Sequence, residues 1–321
     1  RLNTFHNFRH SLMEDPLDPD RWADSHQGGR FLLGGRFDLP DSWRVRLSTE
    51  WAPGDRTERE TRGGPLMTDP GSWAFQGSVQ TDPRESVNLF ALAGWREGAR
   101  GGDELVTELG LELRPAASWE IRLGPAYSRI RDPAQFVAST DAVPYAPTFG
   151  RRHLFAEVVR HDLSLESRLD VAFTPDLSLQ LFAQPLVASG DFVAYKQLAR
   201  PGSFSFRRFE EGRADVGGDG TVACRGGATC VRGRRRHVDF DGDGTSDVSF
   251  ADRDFSLASL RGNAVLRWEY RPGSELFLVW QQDRRDRATT GLFRPDRALD
   301  RLTAAPASHR LILKLRHRLE F

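Results

Sequence analysis

The chain has 321 residues, 28% of them charged and 39% hydrophobic, with 45 Lys plus Arg against 45 Asp plus Glu. No stretch of about 18 apolar residues is present, which excludes a membrane-spanning helix but not a strand-built membrane protein, whose signal per segment is far weaker. The zero charge balance gives no support to a nucleic-acid partner, which calls for a basic excess.

Arg1 follows no signal sequence, as in a processed or partial chain. A first strand is expected over residues 1–12, followed by an acidic, Pro-containing loop from Met13 to Gln27. Alternation then becomes clear. Phe31, Leu33, Phe37 and Leu39 alternate with Arg30, Arg36 and Asp38, and after a turn at Pro40–Ser42, Val45, Leu47 and Trp51 alternate with Arg44, Arg46 and Glu50. A two-residue period puts such sets on opposite faces of a strand. Beyond a polar loop, a second hairpin covers Trp73–Thr81 and Val87–Trp95, and a Gly-rich loop runs from Arg96 to Asp103. The third hairpin sets Leu105, Leu109, Leu111 and Leu113 against Glu108 and Glu112, then Trp119, Ile121 and Leu123 against Glu120 and Arg122.

A loop with three prolines, Arg131–Gly150, precedes strands at about Arg152–Val159 and Leu163–Phe173, the latter with Glu166, Arg168 and Asp170 on its polar face. After the turn Thr174–Asp176 come strands at Leu177–Leu181 and about Ala188–Leu198. Residues 200–260 form a long insertion. Arg261–Tyr270 and Leu276–Gln282 make another hairpin, with Arg267 and Glu269 inward, and a polar loop leads to the last strand. There Leu311, Leu313, Leu315, Leu319 and Phe321 share one parity, while Arg310, Lys314 and Arg316 share the other. One face suits hydrocarbon and the other water or opposite charge, a division that fits a barrel wall.

The chain is therefore expected to be all-β: one transmembrane antiparallel barrel over residues 1–321, of about 14 strands (range about 12–16), with short periplasmic turns and long extracellular loops. Trp43, Trp73 and Trp119, at strand starts, fit an interfacial aromatic girdle. Leu315, Leu319 and the terminal Phe321 resemble the signal that delivers bacterial barrels to their assembly machinery. The soluble alternative is a pair of β-sandwiches with the leucine faces packed together. It accounts for neither the loop asymmetry nor the terminal Phe.

The sharpest motif is Asp239-Phe-Asp241-Gly-Asp243-Gly-Thr245-Ser-Asp247. Alternate carboxylates around a tight Gly turn, with a backbone carbonyl at Thr245, are what a hard cation such as Ca2+ needs. Position 12 is Phe250 rather than Glu, so this is not a full EF-hand; Asp252 is a candidate for completing the shell. The other reading is an acidic turn set against the basic run Arg232–His237, which itself suits either lipopolysaccharide phosphates or those aspartates. Cys224 and Cys230, six apart with no histidine cluster beside them, read as a local disulfide in an oxidising compartment. The inward charges Arg44, Arg46, Glu50, Glu108, Glu112, Glu120, Arg122, Glu166, Arg168, Asp170, Arg267, Glu269, Arg310, Lys314 and Arg316 fit two readings: a two-signed pore lining, or a ladder of cross-strand ion pairs that fills the barrel. No Ser-His-Asp or H-E-x-x-H arrangement can be picked out, so an enzyme is the weakest reading.

Three stretches resemble a bacterial outer-membrane family: R-G-N-A-V-L-R-W-E-Y-R-P-G-S-E-L-F-L-V-W-Q-Q at Arg261–Gln282, the aspartate loop before Phe255, and T-P-D-L-S-L-Q-L-F-A-Q-P with the following Ser189–Phe192. In that family a β-sandwich similar to family-9 carbohydrate-binding modules precedes a carboxyl-terminal barrel domain of unknown function. The resemblance implies a barrel, a Gram-negative outer-membrane address, and a separate sandwich domain as partner; it carries over no catalytic residue. Two roles follow as expectations. One is a barrel that binds, passes or presents a ligand beneath a calcium-ordered outer loop. The other is a filled barrel that serves as anchor or assembly partner.

Overall fold

A computed structural model describes residues 2–15 and 18–319, with side chains from residue 29 onward. Phe321 lies outside the described residues. The strands, in chain order, are β1 (Leu2–Asp15), β2 (Asp18–Asp38), β3 (Arg44–Ala52), β4 (Asp55–Thr57), β5 (Met67–Asp69), β6 (Ser72–Gln80), β7 (Val87–Gly98), β8 (Asp103–Ala116), β9 (Trp119–Thr140), β10 (Arg152–Thr174) and β11 (Leu177–Leu198). The insertion carries β12 (Phe206–Arg208), β13 (Arg213–Val216), β14 (Val222–Arg225), β15 (Thr229–Arg232), β16 (Arg235–Val238) and β17 (Val248–Ala251). The chain then forms β18 (Phe255–Arg271), β19 (Ser274–Ala288), a helix α1 (Pro295–Ala304) and β20 (Ala307–Arg316).

Twelve strands form one antiparallel ladder in the order β1-β2-β3-β6-β7-β8-β9-β10-β11-β18-β19-β20, each beside its neighbour along the chain. The alternation seen in the sequence sets the register. Val45 lies opposite Val79, and Arg46 opposite Ser78, so apolar pairs with apolar and polar with polar across the sheet. The same holds for Glu112 against Arg122 and Leu113 against Ile121. A one-residue slip would turn every leucine to the polar side, so the pattern itself fixes the pairing. The outward leucines, such as Leu109 at 56% exposure and Leu313 at 67%, have no protein over them. They make an apolar outer face that needs a hydrocarbon solvent rather than a second sheet.

The β2–β3, β6–β7, β8–β9, β10–β11 and β18–β19 connections are all short and lie on one rim; the long connections, together with the short β7–β8 link, lie on the other. Trp43, just before β3, and Trp119 and Trp268 sit near the short turns, while Trp51, Trp73 and Trp95 sit toward the long loops. Each is 38–50% exposed on the outer face. Phe31, Trp51 and Trp73 stack in a row, with ring centroids 5.1 and 5.7 Å apart. Two aromatic rims about eight residues apart span about 25 Å of strand, the height of an apolar band in an outer-membrane barrel.

The count of twelve falls at the low end of the sequence expectation, for an identifiable reason. Arg152–Val159 and Leu163–Phe173 belong to one strand, β10, and Leu177–Leu181 and Ala188–Leu198 to another, β11. These strands run 23 and 22 residues, well past the apolar band. Their upper halves lose the alternation because both faces are covered by protein there. Within the expected loop Met13–Gln27 the described residues are strand, as β1 and β2 pair through Glu14 and Trp22. The loop expected from Arg131 begins only after Thr140, and the loop expected at Arg96–Asp103 shrinks to the four residues between β7 and β8. The last polar loop contains α1, whose Ala298 and Leu302 pack on Val187 and Ala258. β20 ends at Arg316, so Leu319 follows the strand. The ladder has two ends, β1 and β20, and no pairing joins them among the described residues. Hydrocarbon offers no water to a free strand edge, so a bilayer demands that both ends be hydrogen-bonded.

The outer-face assignment has a direct energetic consequence. Leu109→Arg, near the middle of β8, is expected to cost about 2–4 kcal/mol in folding into lipid vesicles, measured by denaturant titration. Its lumen-facing neighbour Glu108, changed to Gln, is expected to cost under about 1 kcal/mol. Equal costs at the two positions would contradict the assignment.

Candidate functional site

The inner face carries the charges the sequence placed there, and they pair both across strands and along single strands. Ion pairs join residues two apart on the same strand at several positions: Arg114 with Glu112 at 2.6 Å, Arg168 with Glu166 at 2.9 Å, Arg160 with Asp162 at 2.8 Å, Arg285 with Asp283 at 2.9 Å, and Arg122 with Glu120. Residues i and i+2 share a face about 7 Å apart, within reach of an arginine folded back along the wall. Cross-strand pairs are as frequent, and include Arg30 with Glu50 at 3.5 Å and Arg261 with Asp283 at 3.8 Å. Arg96 contacts Glu50 at 3.2 Å and Glu104 at 3.6 Å, and Arg267 contacts Glu275 at 2.6 Å. Arg44 reaches Asp38 at 3.4 Å, Glu269 takes a 3.4 Å contact from Arg267, and Arg316 lies 3.6 Å from Glu275. Lys314 stands over the Phe277 ring at 5.8 Å. Arg46, Glu108, Asp170 and Arg310 have no ion-pair partner among the described residues. The charges thus neutralise one another along the wall instead of bridging the lumen, and grooves remain between them. One groove of 530 Å³ lies along β7 to β10 beside Gln80, Phe90 and Glu108. Another of 450 Å³ lies beside Phe182, Asn263 and Gln281.

Above the long-loop rim the insertion folds into a cap. β13 pairs with β14, and β15, β16 and β17 form a small sheet. The cap packs Phe209, Val238 and Phe240 against Val137, Leu154, Ala156 and Tyr195 from the upper halves of β9, β10 and β11. Cys224 and Cys230 are joined, tying β14 to β15 within a buried cluster with Val222. Two buried arginines, neither singled out from the sequence by role, hold the cap down. Arg236 places its guanidinium 3.9 Å from the centre of the Tyr195 ring and donates to Glu211 at 2.6 Å. Arg152 donates to the Gln197 side-chain oxygen at 2.7 Å and to the Val143 carbonyl at 2.7 Å, and stacks 4.4 Å from Phe240. Only the lack of a local acid partner for Arg152 could have marked it in the sequence. The basic run therefore does not pair with the adjacent aspartates as a block: Arg235 donates to Ser249, and Arg236 serves the cap core.

The acidic loop connects β16 to β17. Gly242 and Gly244, at φ +80 and +91, adopt the left-handed conformation that closes the turn on itself. Asp239 is 5% exposed and accepts hydrogen bonds from the amides of Gly242 at 2.6 Å and Gly244 at 3.0 Å. Asp247 accepts from the Phe240 amide at 2.6 Å. Carboxylate oxygens of Asp239, Asp241 and Asp247 lie within 4.8 Å of one another. Asp243 stands apart, its oxygen taken by the amide and hydroxyl of Thr245, a bond that holds its carboxyl below the usual carboxylate range. Asp252, the candidate for completing the shell, lies 3.8 Å from Arg236 instead. Beyond the loop, Asp254 accepts from the Phe192 amide at 2.8 Å, and burial pushes its carboxyl up to about 6, helped by Asp252 and Asp191.

No protein-family model and no curated protein matches the sequence. Among solved structures, the chain is similar to the siderophore receptor PiuA from Acinetobacter baumannii, at TM-score 0.50 and 10% identity, with 98% of this chain and 46% of that receptor covered. The chain thus spans less than half the length of that receptor, and at this identity the likeness concerns the fold. Register, apolar outer face and this likeness together define the fold of an outer-membrane β-barrel.

Asp254 gives the cap a pH dependence of known sign. Its folded value of about 6 lies above the ordinary 3.8, so the folded cap binds the proton more tightly than the unfolded chain. This contribution is present at low pH and lost as pH rises through about 6. Amide exchange at Phe192 and Phe255, corrected for intrinsic rates, is expected to be slower at pH 5 than at pH 7.5, and Asp254→Asn is expected to flatten the difference. Exchange that slows with rising pH would contradict this.

Proposed function

We propose that this barrel binds a ligand in its lumen and passes or presents it across an outer membrane, beneath a folded extracellular cap. The observation that carries this reading is the short reach of the ion pairs. Pairs along a strand or between nearby strands satisfy the wall's charges locally and leave the grooves open. A filled lumen would have spent those charges on bridges between opposite walls. The likeness to a siderophore receptor supports a ligand-handling barrel in general terms. The W-E-Y-R-P-G-S hairpin at Trp268–Ser274 supports placing the chain beside the outer-membrane family it resembles, whose sandwich domain would act as a receptor on the same pathway.

The test is conductance in a planar bilayer. Discrete, ohmic openings are expected, with an ion selectivity that shifts when the unpaired Arg46 is changed to Glu. A stable, folded protein that carries no current would favour the anchor reading.

We further propose that the acidic loop holds a Ca2+ that orders the cap. Three like charges within 4.8 Å, one of them buried, favour a cation between them. Asp239, Asp241 and Asp247 would supply the carboxylate oxygens. Calorimetric titration is expected to show binding that weakens at least about tenfold in Asp239→Asn or Asp241→Asn. Chelation is expected to speed tryptic cleavage within Arg232–Arg236. Unchanged binding in both variants, or cleavage indifferent to chelator, would contradict the site.

A further inference from the structure

The 530 Å³ groove on the inner wall has a composition that points to a class of ligand. Its floor is open at Gly110 and Gly124, two inward positions that carry no side chain. Phe90 lies opposite Gly110 in the register. A Cβ built on Gly110 would stand 3.2 Å from the Phe90 Cβ and 3.6 Å from a ring carbon. The glycine therefore lets the ring lie down along the sheet, a large apolar side chain on a mostly polar face. Gln80 lies opposite Phe90 on the adjoining strand, and Gln184 lines the far side of the groove. Neither amide has a hydrogen-bond partner among the described residues. Glu108, which has no ion-pair partner among the described residues, and Glu166, which keeps Arg168, supply acceptors between them.

These groups suit one kind of molecule. A ring laid flat recognises an apolar CH face. Unbonded primary amides offer a donor and an acceptor from one neutral group, and carboxylates accept from hydroxyls. A phosphate or carboxylate ligand would meet Glu108 and Glu166, and a simple cation would need neither the ring nor the amides. We infer that this groove is a saccharide subsite: a pyranose ring stacks its CH face on Phe90 and exchanges hydroxyl hydrogen bonds with Gln80, Gln184 and Glu108. The inference rests on the ligand-handling reading above and names its substrate class.

The experiment separates the two. Saturation-transfer NMR on the detergent-solubilised chain uses maltohexaose and cellohexaose as neutral probes and spermine as a cationic one, with conductance recorded on the same preparation. Transfer to the sugar CH protons is expected for at least one hexaose, with affinity falling about tenfold in Phe90→Leu and in Gln184→Ala. Phe90→Trp is expected to retain binding, and Gly110→Ala, which lifts the ring, to weaken it. Folding of every variant is checked by its slower migration after boiling. A conducting, folded barrel that binds neither hexaose, or binds only spermine, overturns the saccharide subsite and leaves the ligand-handling reading standing. Sugar binding that ignores Phe90→Leu places it elsewhere and overturns the subsite as well. A barrel that binds the hexaose without conducting keeps the subsite and turns the reading from passage to presentation.

Discussion

The backbone hydrogen-bond ladder is the constraint on which everything else depends. In hydrocarbon each unpaired amide or carbonyl costs several kcal/mol, so strands cross a membrane only as members of a continuous ladder. Neighbour-on-neighbour order satisfies this for the strands between β1 and β20 with the shortest connections, and it forces each of their residues within the bilayer to face either lipid or lumen. The leucines of β8 and β20 and the glutamates and arginines between them follow from that division. So do the aromatic rims, where tryptophan places an apolar ring in lipid and its N–H near water.

The same division shapes the inside. A wall that must be polar at every second residue acquires many charges, and they must be neutralised. Arginine can do this without crossing the space, because a partner two residues away on its own strand, or one on a nearby strand, is close enough. That choice neutralises much of the wall while leaving glycines, amides and the Phe90 ring accessible between the pairs. Above the rim the constraint relaxes. Water satisfies loop backbone, and the chain builds a small disulfide-bonded cap whose hold on β9 to β11 comes from buried aromatics and two buried guanidiniums. The cap is thus a water-exposed piece of architecture standing on a membrane one, and its pH response belongs to its own carboxylates.

The sequence made the membrane part legible because lipid imposes a strict period. Hairpins such as Arg44–Trp51 with Trp73–Thr81 were readable residue by residue, and their partners across the sheet match that pattern. Legibility failed where the period ends. The upper halves of β10 and β11 read as separate strands because Leu154, Phe155 and Ala156 are buried in succession, as in a soluble core. Helix α1 was hidden in a polar stretch, its two buried residues too few to mark a face. At the acidic loop, spacing foretold the turn and three of the converging groups, but not that Asp243 would turn to Thr245 or Asp252 toward Arg236. The lumen pairs were legible as charges and not as partners, since strand parity says which face a residue takes and nothing about which neighbour it chooses.

The central claim is that one face of each strand meets lipid and the other meets water. A nitroxide scan along β8, residues 104–113, in vesicles tests it directly, since the native cysteines are both disulfide-bonded and leave the introduced ones as sole labelling sites. Labels at Leu105, Leu109, Leu111 and Leu113 should respond to oxygen, which dissolves in the bilayer. Labels at Glu104, Val106, Glu108 and Glu112 should respond to a water-soluble nickel chelate, with a period of two. A leucine series closed to both reagents would mean those side chains are packed against protein, and the membrane barrel would have to be abandoned for a soluble sandwich.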